Sequence, residues 1–143
     1  MKYLFTQSCG IFRNDILVAV GCNYDDILKY AEKYGTKRFV IGIKKNEDNI
    51  KELIDRKGFA ILNKDLAYAA ILYLEDFKDN WERLDTLLHE LHHLVFMVAR
   101  QKNFEDEMEA QAYLFEDLFR NIRHQLNWEL KQIKKHKKNK KKS

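Results

Sequence analysis

The first twenty residues carry apolar and polar positions at strand spacing. Residues 3–12 and 16–21 are rich in aromatic and branched side chains and predict two strands turning at Arg13-Asn14-Asp15. The period then lengthens. Residues 24–34 repeat at helical spacing, with Asn23 placed as a cap, Asp25 and Asp26 in the first turn and Gly35 past the end. Arg38-Phe39-Val40-Ile41-Gly42-Ile43 predicts a short buried strand, and residues 47–56 a modest helix ended by Gly58. Residues 59–62 and 67–74 predict two further strands on either side of the turn signal Asn63-Lys64-Asp65.

The second half reads as helix. Asp79 and Glu82 are spaced as a capping box, so a helix is expected from about Trp81, with Leu84, Leu87, Leu88, Leu91, Val95 and Val98 facing the core. His89 and His93 fall opposite that stripe with Phe96 near them, which predicts a helix sandwiched on both sides. The pattern breaks near Gln101-Lys102-Asn103 and resumes from about Phe104, burying Met108, Ala112, Phe115, Phe119, Ile122 and Leu126. Glu109, Tyr113, Glu116 and Arg120 form a polar strip beside that stripe, with Glu116 and Arg120 spaced for a helical ion pair. The order β-β-α-β-α-β-β-α-α predicts an α+β domain: a mainly antiparallel sheet, helices packed on one face, and two helices last.

The chemistry concentrates in Leu88-His89-Glu90-Leu91-His92-His93-Leu94, which contains H-E-x-x-H inside a predicted helix. Histidines four residues apart project about 40° apart around a helix axis, so both imidazoles can reach one ion. Glu90 points to a neighbouring sector, where a carboxylate can approach a bound water without being a ligand. Zinc suits such a set, being content with imidazole plus carboxylate and able to lower a water's pKa toward neutrality. His89 and His92 also share a face, about 60° apart, so that pair is geometrically open too. A third ligand is sought on the next helix. If the two helices run antiparallel, His93 lies about 10 Å before the turn and Glu109 about 6 Å after it, at similar heights. Glu109 is therefore the candidate, with Asp106, Glu116 and His92 as alternatives. Tyr113 and Glu116 are candidates for supporting or oxyanion roles.

An H-E-x-x-H helix followed by a helix bearing Glu109-Ala110 and the aromatic Tyr113 resembles the gluzincin branch of zinc metallopeptidases, particularly the small single-domain H-E-x-x-H proteins of bacteriophages and mobile elements. The resemblance covers residues 65–119. It implies His89, His93 and Glu109 as zinc ligands and Glu90 as general base. It also implies that the strand before the active-site helix, around residues 69–73, receives an extended peptide. Many gluzincins place an acidic residue four positions after the ligand Glu; here that position is Tyr113, whose phenol can do similar orienting work.

Composition bounds the rest. With 143 residues, 45% hydrophobic and 13% aromatic, the chain fits one domain with a real core, expected over residues 1–130. It contains no proline and no long apolar run, which excludes a membrane-spanning class, and its start lacks a secretory stretch. Pairing Phe12 with Ile16 sets Cys9 opposite Ala19 and Cys22 opposite Thr6, keeping the thiols apart. Free thiols fit a reducing cytoplasm, which the resemblance implies is that of the host cell of a phage or mobile element. Residues 131–143 carry eight lysines and no acid, which turns a body of net −4 into a chain of net +4. Charge this dense predicts a disordered arm, solvated or in contact with nucleic acid. Two functions are expected to compete: a zinc-dependent peptide or amide hydrolase, and a zinc-containing phage or mobile-element protein that binds a partner protein or nucleic acid without proteolysis.

Overall fold

The computed structural model describes residues 2–9, 15–62, 64–66 and 69–142. Two strands open it, β1 (Tyr3–Ser8) and β2 (Asp15–Val20), followed by α1 (Tyr24–Tyr34), α2 (Lys37–Lys45) and α3 (Glu47–Ile54). Strand β3 (Gly58–Ile61), a single 3₁₀ turn (Lys64–Leu66) and β4 (Ala69–Leu74) lead to α4 (Trp81–Gln101) and α5 (Met108–Lys142). The class is α+β, with the C-terminal helix last, as the pattern predicts. The sheet is four-stranded in the order β1-β2-β4-β3. Its two outer pairings are antiparallel and the central one, β2 with β4, is parallel.

Helices cover both faces of this sheet, where one covered face was expected. Ile16, Val18, Val20, Ala70, Leu72 and Leu74 pack with α4 and α5, while Leu17, Ala19, Ile71 and Tyr73 pack with α1, α2 and α3. The reason is visible in the two central strands, whose apolar runs Ile16–Val20 and Ala70–Leu74 are buried throughout and need cover on each side.

Several local expectations shift. The run 38–43 lies within helix α2: Thr36 Oγ1 accepts from the Phe39 amide at 3.1 Å, and Phe39, Gly42 and Ile43 form a helical stripe with Ile41 left exposed. A five-residue apolar run fits either period, and the cap decides it. In the hairpin, Thr6 faces Leu17 and Ala19 faces Leu4, so neither cysteine occupies its expected place. An odd change of register turns a strand over, and the observed register sets Tyr3 and Phe5 on the same face as Ile16, Val18 and Val20. The expected turn residues Arg13 and Asn14 lie outside the described residues, as does Asn63. Both thiols are free and buried, Cys9 in one apolar cluster and Cys22 in the other.

Helix α4 is capped by Asn80, whose side chain accepts from the Arg83 amide at 3.1 Å. Asp79, expected in that role, instead accepts from Arg123 and Asn127 and ties the start of α4 to α5. At the other end, Asn103 adopts φ 60°, and Phe104 N donates to Ala99 O at 2.9 Å. That closes the helix with a left-handed residue followed by a buried aromatic, so α5 starts at Met108 and not at Phe104. Its buried stripe is Leu114, Leu118, Ile122 and Leu126; Met108 and Ala112 are exposed, and Phe115 and Phe119 half-buried. The helix continues to Lys142, beyond the point near Ile133 after which a frayed arm was expected. Lysine is a good helix former, and positive charge at a helix C-terminus complements the backbone dipole.

Candidate metal centre

The site is built on the middle of α4. Leu84, Leu87, Leu91, Leu94 and Val98 fix the helix on the sheet, which turns His89 and His93 outward one above the other. Their Nε2 atoms are 3.1 Å apart. Either one ring N–H donates to the other nitrogen, or both lone pairs meet on a cation. Two ligands at about 2.0 Å from a tetrahedral zinc are separated by about 3.3 Å, so the pair is close to a metal bite.

Glu90 differs sharply from its neighbours. Its side chain is 11% exposed against 68% for His89, and its Oε1 lies 4.0 Å from His89 Nε2. Burial pushes its pKa up, while the positive charges of His89, His93 and Arg56 pull the other way. The result is a carboxyl group that holds a proton more readily than a solvated glutamate, as a proton-shuttling group requires. Burial comes from β3. A Cβ at Gly58 would stand 3.2 Å from Glu90 Cγ and 2.9 Å from Thr86 Cγ2, so the strand passes the helix at a distance that only glycine permits.

That strand, and not β4, has an edge that no other strand pairs among the described residues. Strand β4 is paired on both sides, with β2 and with β3, so residues 69–73 cannot take a peptide as an added strand. Strand β3 ends the sheet beside Glu90. The sequence signal for this was Gly58 itself, a glycine opening a strand, where a backbone approaches another element closely.

The other expected residues lie apart. Glu109 is exposed in the first turn of α5, on the side of that helix opposite Leu114 and Leu118. Its neighbours Met108, Gln111 and Ala112 form one wall of an apolar groove of about 530 Å³, and His92, His93 and Phe96 form the other. His92 stands edge-on to Phe115 with ring centroids 5.8 Å apart, facing α5 and not the His89–His93 pair. Tyr113 is exposed, and Glu116 forms an ion pair with Arg120 at 2.7 Å on the outer face. That pair is the structural strip expected of this spacing. Among the described residues no group of three or more His, Cys, Asp or Glu side chains is gathered that could hold a metal. The two imidazoles are of a type and spacing that zinc accepts, and among the described residues no third ligand is brought to them.

No helix among the described residues is long and apolar enough to cross a membrane. Neither a protein-family model, nor a curated protein, nor a solved structure matches the chain.

Proposed function

We propose that this protein is a zinc-dependent peptide or amide hydrolase of gluzincin-like design. The observation that carries the reading is the His89–His93 pair at 3.1 Å with the buried Glu90 between them on one helix. His89 and His93 would hold the ion, and Glu109, which stands on the outer face of the first turn of α5, would be the third ligand only after that turn rotates toward them. Zinc, when bound, supplies Lewis acidity toward a carbonyl and lowers the pKa of a water in the site. Glu90 would take a proton from the water that attacks the carbonyl and deliver it to the leaving amine, a task suited by its raised proton affinity. The free edge of β3 aligns an extended peptide by main-chain hydrogen bonds, with the scissile carbonyl presented beside Glu90.

The test is reconstitution. Protein stripped by a chelator should lose hydrolysis of a peptide library and regain it with about one equivalent of zinc. Full turnover in a verified metal-free sample would overturn the reading. A second reading, a zinc-containing protein that binds a partner without proteolysis, is favoured by one observation: no third ligand stands beside the histidines among the described residues. One bound zinc with persistent inactivity and tight partner binding would select it.

A further inference from the structure

The end of α5 is not only basic but helical, and the helix puts the charge in a line. Beyond Ile133, which packs on the core cluster, every residue to Lys142 is exposed and helical. Lys131, Lys135, Lys138 and Lys142 recur at intervals of four, three and four residues. On an α-helix they fall within about 60° of one another, in a row of about 16 Å. Lys134, Lys137 and Lys141 flank that row on one side, and Ile133 lies roughly opposite it. The row begins on the body, where Lys78 joins Lys131 and Lys134 around a groove of about 540 Å³. Asp79 on the same groove has its carboxylate engaged by Arg123 and Asn127.

We propose that this lysine row docks on the phosphate backbone of double-stranded DNA. A straight line of solvated ammonium groups matches a regular line of anions, and the body of net −4 confines attraction to this helix. The helix past residue 130 has His136 as its one ring among the described residues and Ile133 alone as an aliphatic side chain, already packed. It therefore has no apolar face to enter a bilayer, and Trp128 and His136, about 12 Å apart along the axis, are too far apart for successive single-stranded bases to stack on both. A protruding helix enters the major groove of B-form DNA, about 12 Å wide, whereas the narrow major groove of A-form RNA refuses it. Docking through phosphates reads no sequence. It is independent of whether the α4 site hydrolyses peptides.

The experiment measures binding of the full chain to a short labelled DNA duplex by fluorescence anisotropy across a salt series. Parallel arms use an RNA duplex and phosphatidylserine vesicles. Four contacts give a slope of log K against log salt of about −3.6, a loss of about 150-fold between about 50 and about 200 mM. The fourfold variant Lys131→Gln, Lys135→Gln, Lys138→Gln, Lys142→Gln should lose at least about tenfold at low salt. A second variant keeps the composition and exchanges neighbours: Lys135→His with His136→Lys, and Lys138→Asn with Asn139→Lys. It should lose at least about tenfold too, because the row is scattered while charge is conserved. Circular dichroism should show both variants as helical as the parent. Undiminished binding by the exchanged variant, equal or tighter binding to RNA or vesicles, or no DNA binding at low salt would each overturn the proposal.

Discussion

His89 Nε2 and His93 Nε2 stand 3.1 Å apart on the outer face of α4, held there by a helix whose opposite face is locked into the sheet. Neither ring packs on the other face-to-face; they meet edge-on with centroids 4.7 Å apart. The two Nε2 atoms are thus close enough either to share one hydrogen bond or to meet on one ion. That arrangement gives the first expectation.

His89→Ala and His93→Ala should each weaken zinc binding by at least about 100-fold, since either leaves a single imidazole. Glu109→Ala should weaken it less. His92→Ala should leave it unchanged, because His92 faces Phe115. Metal analysis and calorimetric titration of untagged protein decide the matter. Loss of zinc in His92→Ala with retention in His93→Ala would place the site in the wrong register.

Gly58→Ala should destabilise the fold by about 1–3 kcal/mol, because the added carbon meets Thr86 Cγ2, Tyr73 O and Glu90 Cγ within 3.2 Å. It should also lower turnover, by moving β3 against Glu90. Gly42→Ala would gain about 1 kcal/mol in helix propensity, yet it should be destabilising, since its Cβ collides with the Asp65 carbonyl. Denaturant unfolding measures both. A stabilised Gly42→Ala would contradict the packing of α2 against the Lys64–Leu66 turn.

Asn80→Ala should cost about 1 kcal/mol, the usual loss of an N-cap side chain. Asp79→Ala removes no cap. It should act through α5, and its effect should largely vanish in the Arg123→Ala, Asn127→Ala background, because those two side chains are its partners. Thermal unfolding of the set checks this, and equal effects of Asp79→Ala in both backgrounds would contradict the tie.

Stability should fall at alkaline pH. Burial first, then Asp15 and Asp117, push the Cys9 thiol from 9.0 up to about 12. Burial and Asp26 push Cys22 from 9.0 up to about 11, against the opposing pull of its backbone hydrogen bonds and of Lys2. Each thiol keeps its proton in the folded state after it has lost it in the unfolded one. Its contribution is therefore fully present below about pH 9 and is lost as pH rises through that window. Tm should decline from about pH 9 upward, less steeply in Cys9→Ala and Cys22→Ala, and thiol reagents at pH 8 should react only after unfolding. Rapid labelling of the folded protein would contradict the burial.

Local chemistry was the legible part. Asn23 caps α1 as expected, joined by Asp26 in a reciprocal pair at 2.9 Å, and α4 starts at Trp81 as expected although Asn80 and not Asp79 caps it. What the pattern could not supply was phase. Tyr113-Leu114-Phe115 and Leu118-Phe119 present adjacent apolar residues, so the α5 stripe can be drawn through Phe115 or through Leu114. A shift of one residue is a rotation of about 100°, and it carries Glu109 from the histidines' side of α5 to its outer face. The same limit applied to 38–43, where an apolar run fitted strand and helix alike. It applied again to the sheet, whose uniformly apolar central strands signalled cover on both faces.

The most direct measurement sets wild type beside Glu90→Gln, with zinc content and peptide hydrolysis read on the same samples. Glutamine keeps the shape of the side chain in its buried place against Gly58 and cannot take the proton. The account predicts about one zinc per chain in both proteins, and hydrolysis in wild type that falls by at least about 100-fold in the variant. Zinc lost together with activity would make Glu90 a ligand instead of a base. Undiminished hydrolysis by Glu90→Gln, or hydrolysis by metal-free wild type, would contradict the assignment of this helix as a zinc hydrolase centre.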